Sequence, residues 1–159
     1  MKKKLNVAIV GSGLIGTKKH IPSILKIKNK LNLVAICDQN LELAKTVADK
    51  FKIEKIYSSL DEMLQKEEID IVDICTPPFT HSDVAIKSLN SGCNVMIEKP
   101  MAITVEECDN IIEAGRINNK KICVAHSDLF YPSFIKARKI VDSGDIGDFK
   151  GMRIFLSTP

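Results

Sequence analysis

Three glycines follow the first apolar run of the sequence, in the stretch AIVGSGLIGTKKH. Gly11, Gly13 and Gly16 have the spacing G-x-G-x-x-G, which binds a diphosphate when it joins a strand to a helix. The first glycine would permit the tight turn, the second would let the backbone approach the phosphates, and the third would let helix and strand pack closely. The predicted phosphate-binding residues are Gly11, Ser12, Gly13, Leu14, Ile15 and Gly16. The alternative is a structural turn that binds nothing.

An acid follows the second apolar run at the distance that this motif requires. Asp38 lies 22 residues beyond the last glycine, near the usual offset for a carboxylate that accepts hydrogen bonds from the adenosine ribose. A carboxylate at this place repels a 2′-phosphate, so the sequence favours NAD over NADP. Gln39 and Asn40 supply no arginine for NADP, although Lys18 and Lys45 leave it as the lesser alternative. Asp38 could instead cap the next helix.

Two charged residues end a later apolar run, in the stretch VMIEKPMA. A core strand has no use for Glu98 or Lys99, whereas the carboxyl edge of a doubly wound sheet is where ligands bind. The residue before a proline is pushed towards extended backbone, so the direction of Lys99 is restricted by Pro100. That bond is also a candidate for a cis peptide. The alternative is a surface Lys–Glu pair at a strand end.

These residues require a scaffold in which short strands alternate with helices. Apolar runs of four to six residues suit strands that are covered on both faces, as in a parallel sheet. The predicted strands are 5–10, 33–38, 55–57, 69–76, 94–98 and 121–126. Helices are predicted to begin near Leu14, Leu41, Leu60, His81 and Val105, with capping pairs Ser59–Glu62, Thr80–Asp83 and Thr104–Glu107. The pattern predicts an α/β fold with a doubly wound parallel sheet, that is, a Rossmann-like fold.

Composition excludes several classes of function. The chain is 45% hydrophobic and 27% charged, which is typical of a globular protein. Its net charge of +3 comes with scattered lysines, so we predict no nucleic-acid partner. No apolar run approaches the roughly 20 residues that span a membrane. Five cysteines without a C-x-x-C pair favour reduced thiols, a cytoplasmic location and no metal site.

The pattern changes near residue 126. A helix is predicted over 133–143 and one more strand over 149–157, and an unpaired strand there would be an aggregation hazard. We therefore predict a dinucleotide-binding domain over 1–126. Residues 127–159 are predicted to be the connecting helix and first strand of a second, truncated α+β domain for substrate binding and oligomerisation.

Together, the motifs resemble the glucose–fructose oxidoreductase and inositol dehydrogenase family of nicotinamide-dependent enzymes. The glycine motif, Asp38, the run C-T-P-P with a histidine after it, and E-K-P occur in the family's order over essentially the whole chain. The resemblance implies hydride transfer between NAD and a sugar, polyol or related hydroxy or keto compound, in a homo-oligomer. It also implies cofactor contacts from Cys75, Thr76, Pro77, Pro78, His81, Glu98 and Lys99.

In this family the lysine of E-K-P is the usual candidate for contacting the substrate oxygen. The resemblance therefore makes Lys99 the catalytic residue, polarising a carbonyl or stabilising an alkoxide. Glu98 would pair with Lys99 or orient the nicotinamide carboxamide. The second catalytic residue of the family would lie beyond residue 159, so this chain is expected to bind NAD(H) but to be inactive alone.

Some alternatives stay open. A non-enzymatic NAD sensor would need the glycine loop and Asp38 but not Lys99. His81 faces the predicted cleft or only fills the first turn of its helix, and the residues do not decide between the two. His20 is predicted to be structural rather than part of the site. His126 either approaches the site or packs at the domain boundary.

Overall fold

The computed structural model describes residues 3–155. In this part of the chain, six strands alternate with helices along the sequence. The strands are β1 (Leu5–Val10), β2 (Leu31–Cys37), β3 (Lys55–Tyr57), β4 (Ile71–Ile74), β5 (Asn94–Ile97) and β6 (Ile122–Val124). The helices are α1 (Ile21–Lys26), α2 (Leu41–Phe51), α3 (Leu60–Lys66), α4 (His81–Asn90), α5 (Val105–Ile117) and α6 (Pro132–Asp142). A π-helical turn, Gly16–His20, leads directly into α1.

All neighbouring strands of the sheet are parallel. Their order is β3-β2-β1-β4-β5-β6, which is the order of a Rossmann fold. The chain reverses direction across the sheet between β1 and β4, and ligands of such folds bind outside the carboxyl ends of the strands at this point. The predicted fold class is confirmed.

Two apolar clusters cover the two faces of the sheet. Side chains alternate between faces along a strand, so Ala8 and Val10 lie opposite Ile9. The cluster around Ala8 and Val10 includes residues of α3, α4 and α5, and the cluster around Ile9 includes residues of α1 and α2. This near-complete burial of β1 explains its continuous apolar sequence.

Several predicted element limits are corrected by the structure. β1 and β3 have the predicted ends, β2 starts at Leu31 rather than residue 33, and β4 and β6 also start later than predicted. Four strands, β2, β4, β5 and β6, end before their last predicted residues. These last residues include Thr76, Glu98 and His126. They lie in the loops that lead from the strands towards the next helical segments, although the backbone N–H of Glu98 still donates to the carbonyl oxygen of Ile74.

Two of the three predicted helix caps are present. Ser59 accepts a hydrogen bond from the backbone N–H of Glu62, and Thr104 forms a full capping box with Glu107. Thr80 does not cap α4. Its hydroxyl donates instead to Thr76 Oγ1 at 2.7 Å and lies 2.8 Å from the carbonyl oxygen of Pro77, because a 3₁₀ turn precedes α4 and brings these groups closer.

The chain divides into two compact units, with the boundary between Ala125 and His126. The second unit contains a 3₁₀ turn at Ser127–Phe130 and α6, which covers the predicted helix. The predicted strand over 149–157 is wrong where the structure describes it: residues 149–155 form no strand and pair with none of the strands in residues 3–155. Residues 156 and 157 lie outside the described residues. No helix among residues 3–155 is both long and apolar enough to cross a membrane.

Candidate active site

The glycine loop, residues 11–16, has the geometry that its spacing predicts. Gly11 has φ +103°, which side chains rarely adopt, and a Cβ there would lie 2.6 Å from the carbonyl carbon and oxygen of Cys75. A Cβ on Gly16 would lie 2.5 Å from the carbonyl oxygen of Gly11. Both positions therefore require glycine for the fold itself, with or without a ligand.

The middle of the glycine loop is open. A Cβ on Gly13 would meet nothing within 4 Å, so this position does not need glycine for packing. Ser12 is 2% exposed, and its Oγ has no hydrogen-bond partner among the described residues. A buried hydroxyl without a partner is uncommon, and a phosphate oxygen resting on this loop would supply an acceptor. Leu14 and Ile15 are exposed beside it.

Asp38 joins the glycine loop to the segment after β2. Its Oδ2 accepts a hydrogen bond from the backbone N–H of Ser12 at 2.7 Å, and its Oδ1 accepts one from Asn40 at 2.8 Å. Asp38 does not cap α2: Asn40 is the cap residue, and its Oδ1 accepts from the N–H of Leu43. The carboxylate is half-buried at the carboxyl end of β2, where the sequence predicts a ribose ligand.

A cleft of about 420 Å³ lies between the glycine loop and α2. Its lining includes Ser12, Gly13, Lys18 and Lys50. Lys45, the other lysine considered for NADP, is paired with Glu42 at 2.8 Å. The charge of Lys45 is therefore partly countered, whereas Lys18 remains exposed beside the cleft.

The Thr-Pro-Pro turn, residues 76–78, follows β4 at the same edge. Pro77 is exposed and Thr76 is half-buried. The preceding residue, Cys75, contributes its backbone against Gly11, but its thiol is buried. Burial raises the pKa of Cys75 far above its usual range, with the charges of Asp73 and Glu98 adding to the effect.

His81 is fully buried in the first turn of α4. Its Nε2 lies 2.9 Å from the carbonyl oxygen of Thr76, and its Nδ1 lies 2.8 Å from the carbonyl oxygen of Pro100. Of the two predicted alternatives, the side chain occupies the helix turn and does not face the cleft. It bridges the turns after β4 and β5.

The Glu-Lys-Pro turn, residues 98–100, follows β5. The Lys99–Pro100 peptide is cis. Lys99 is exposed, and no carboxylate of the described chain lies within 4 Å of its ammonium. A Glu98–Lys99 ion pair, one of the alternatives left open by the sequence, is absent from residues 3–155, because the two oxygens of Glu98 have other partners: Oε1 faces His20 and Oε2 accepts from the backbone N–H of Lys99.

His20 forms the centre of a charged cluster with the buried Asp73 and the half-buried Glu98. Its Nδ1 lies 2.8 Å from Asp73 Oδ2, and its Nε2 lies 2.9 Å from Glu98 Oε1. Burial alone would lower the pKa of His20, but the hydrogen bonds and charges of both carboxylates outweigh it and raise the pKa from 6.5 to about 9. The two carboxylates therefore favour the imidazolium form of His20 at neutral pH.

The cluster connects three elements at one edge of the sheet. His20 ends the π-helical turn after the glycine loop, Asp73 lies in β4, and Glu98 follows β5. These strands are neighbours, with β4 between β1 and β5. The glycine loop, the Thr-Pro-Pro turn and the Glu-Lys-Pro turn therefore meet at the carboxyl ends of adjacent strands.

Comparison with known proteins identifies the group to which this arrangement belongs. Residues 5–126 match the family described as "Oxidoreductase family, NAD-binding Rossmann fold". The chain belongs to this family. The match spans the three turns and the cluster of His20, Asp73 and Glu98, and it confirms the resemblance inferred from the sequence motifs.

Several dehydrogenases are similar to this chain in sequence and in fold. Inositol 2-dehydrogenase of Salmonella typhimurium is 31% identical over 145 residues, which is 90% of this chain and 43% of that protein. WlbA dehydrogenase from Bordetella pertussis, in complex with NADH and UDP-GlcNAcA, has a TM-score of 0.87 and 28% identity over 91% of this chain and 44% of its own. Scyllo-inositol dehydrogenase from Lactobacillus casei, with NAD(H) and scyllo-inositol, has a TM-score of 0.85 and 27% identity over 92% and 43%. The chain therefore spans less than half of the length of each of these three proteins.

Sequence reasoning about this family member missed Asp73 and the role of His20. An acid in the middle of the apolar run IDIVDICT was the available signal, because a buried carboxylate requires a partner. His20 gave a weaker signal, since its place four residues after Gly16 does not show which face of the helix it occupies. The prediction that His20 is structural did not anticipate its contacts with Asp73 and Glu98.

Proposed function

We propose that the chain is the cofactor domain of an NAD-dependent oxidoreductase that transfers a hydride to or from a hydroxy or keto compound. The observation that supports this most is the meeting of the three turns at adjacent strand ends. A dinucleotide lying across that edge would reach from the glycine loop to the Glu-Lys-Pro turn. The positive charge of Lys99 at the latter end pairs with no carboxylate among residues 3–155, which favours an enzyme over an NAD sensor.

The residues of the glycine loop fit the diphosphate of a dinucleotide. Gly13, with open space beside it, and Ser12, whose hydroxyl has no partner in the described part of the chain, lie at the start of a helical segment. Backbone N–H groups and the helix dipole favour negative charge there. Thr76, Pro77 and Pro78 would line the nicotinamide half. The bound nicotinamide would supply the hydride acceptor or donor. Cys75 and His81, both buried, would act by holding these turns in place.

We propose that Lys99 is the catalytic residue of this domain. A cation held beside a substrate oxygen stabilises negative charge that develops there during hydride transfer. Because no carboxylate of residues 3–155 pairs with the Lys99 ammonium, its charge is available for that purpose. Glu98 would contribute indirectly, since its carboxylate holds the backbone N–H of Lys99.

Sugars, polyols and related compounds are the proposed substrates. Support comes from the inositol and nucleotide-sugar names of the relatives, combined with a lysine suited to an alcohol or carbonyl oxygen. We also propose that the whole protein works in the cytoplasm as a homo-oligomer. All five cysteines are free, as suits a reducing compartment, and sedimentation analysis of the purified protein would test its assembly.

We propose NAD rather than NADP as the cofactor, because Asp38 would repel a 2′-phosphate. The expected result is that NADH binds at least about tenfold more tightly than NADPH, a difference of about 1.4 kcal/mol. In Asp38→Asn the preference for NADH over NADPH should fall, because the amide removes the repelling charge. The amide oxygen can still accept a hydrogen bond from the backbone N–H of Ser12 or Asn40. Fluorescence titration of both nucleotides measures the four dissociation constants. Tighter binding of NADPH by the wild type would refute the assignment.

A further inference from the structure

The Glu-Lys-Pro turn is held at both ends by buried histidines. His20 Nε2 lies 2.9 Å from the Glu98 carboxylate, and His81 Nδ1 lies 2.8 Å from the carbonyl oxygen of Pro100. Lys99 lies between these two anchored residues. The histidines come from different helical segments, one after the glycine loop and one after the Thr-Pro-Pro turn.

Both ring nitrogens of His20 face acceptors. Asp73 and Glu98 are carboxylates, and a neutral imidazole can donate from only one nitrogen. The ring must therefore carry two N–H groups for both contacts to be hydrogen bonds. Charge-assisted hydrogen bonds of this kind are stronger than neutral ones, and at 9% exposure His20 keeps them away from water.

Asp73 fixes the orientation of the His20 ring. It is 3% exposed, lies within β4, and has both oxygens within 2.9 Å of His20 Nδ1. With the ring fixed, Nε2 can donate only towards Glu98. Glu98 then has Oε1 engaged and Oε2 turned to the backbone N–H of Lys99 at 3.0 Å. The chain of contacts runs from a buried strand, through the ring, to the backbone of the exposed lysine.

We propose that His20 is a positioning residue for Lys99: its ring, oriented by Asp73, holds Glu98 in the rotamer that fixes the Glu-Lys-Pro turn at the nicotinamide end of the cofactor site. This inference rests on the proposed function. It assigns no contact with cofactor or substrate to His20 itself. Loss of the ring should therefore affect the nicotinamide half of the site and leave the adenosine half intact.

Comparison of NADH with ADP-ribose separates the two halves. ADP-ribose has the adenosine, the diphosphate and the second ribose but lacks the nicotinamide. In His20→Gln, we expect NADH to bind about tenfold more weakly, as for loss of a hydrogen bond to a charged group, and ADP-ribose to bind as in wild type. Isothermal titration calorimetry at pH 7 measures both ligands. Asp38→Ala is the matched control, because it should weaken both ligands alike.

A pH series on the wild-type protein provides a second readout, and two variants serve as comparisons. His20 has its pKa raised to about 9, so its hydrogen-bonded form is complete at pH 7 and is lost as the pH rises through 9. The titratable groups that face it are Asp73, Glu98 and the nearby Cys75. The preference of the wild type for NADH over ADP-ribose should fall between pH 8 and pH 10, and in Asp73→Asn it should fall at lower pH. In His20→Gln it should not change with pH.

Each result decides one claim. The positioning role would be overturned if His20→Gln weakened the binding of NADH and ADP-ribose equally. It would also be overturned if the preference of the wild type for NADH over ADP-ribose did not change with pH. Either result would leave the proposal that the domain binds NAD(H) unaffected. Failure of the wild type to bind either ligand would overturn the proposed function and the positioning role with it. If His20→Gln does not fold, as judged by circular dichroism, the wild-type pH series alone decides.

Discussion

Gly13→Ala is expected to weaken NADH binding strongly while the domain remains folded. The structure leaves open space where the new methyl group would stand, so the free protein has no reason to lose stability. The same space is where the proposed diphosphate would approach the backbone, and inserting a methyl group into a close contact costs about 1–3 kcal/mol. That range corresponds to a roughly 5–150-fold increase in the dissociation constant. Fluorescence titration with NADH measures it.

The other two glycines of the loop serve as matched controls. Gly16→Ala places a Cβ 2.5 Å from a backbone oxygen and should lower the free energy of unfolding by about 1–3 kcal/mol. Gly11→Ala adds backbone strain at φ +103° to a similar clash, so roughly 2–6 kcal/mol is expected. Urea unfolding followed by circular dichroism measures all three variants. A Gly13→Ala protein as unstable as Gly16→Ala, or one with unchanged NADH affinity, would contradict the proposed place of the diphosphate.

Lys99→Ala is expected to reduce kcat by about 10²–10³-fold, the effect of removing one group that stabilises an oxyanion in the transition state. NAD affinity should change little, because the glycine loop and Asp38 are untouched. The measurement is steady-state kinetics in a chain that carries this domain together with a substrate domain. An enlarged deuterium isotope effect would confirm that the hydride step itself is slowed.

Two further variants make the result specific. Lys99→Arg keeps the positive charge but changes its shape, so it should retain more activity than Lys99→Ala. Lys87→Ala removes an exposed lysine that pairs with Asp61 on the surface, and it should have no effect on kcat. Turnover by Lys99→Ala at the wild-type rate would show that Lys99 is an exposed surface lysine without a catalytic role, whereas absence of turnover in the wild type would favour a non-enzymatic NAD-binding protein.

The sequence predicted the fold because its signals are local. Apolar runs, capping residues and the glycine spacing each operate over a few residues, and the capping box at Thr104 formed as the pattern requires. Strand ends were less well predicted, since the last ladder hydrogen bond depends on the neighbouring strand. The strand predicted over 149–157 failed in its described part for the same reason: β-branched and aromatic residues make a strand only where a partner pairs with it.

Within the candidate site, the sequence by itself determined the motifs at the three turns, because backbone geometry at a glycine or before a proline is fixed by neighbouring residues. Only the tertiary structure decided which side chains meet. Strand order brought β4 between β1 and β5, so His20, Asp73 and Glu98 form one cluster although 53 residues separate His20 from Asp73. Glu98 therefore faces a histidine and leaves the ammonium of Lys99 unpaired in the described chain. Pairing between charged residues that are this far apart in the sequence depends on tertiary packing, which no local sequence pattern encodes.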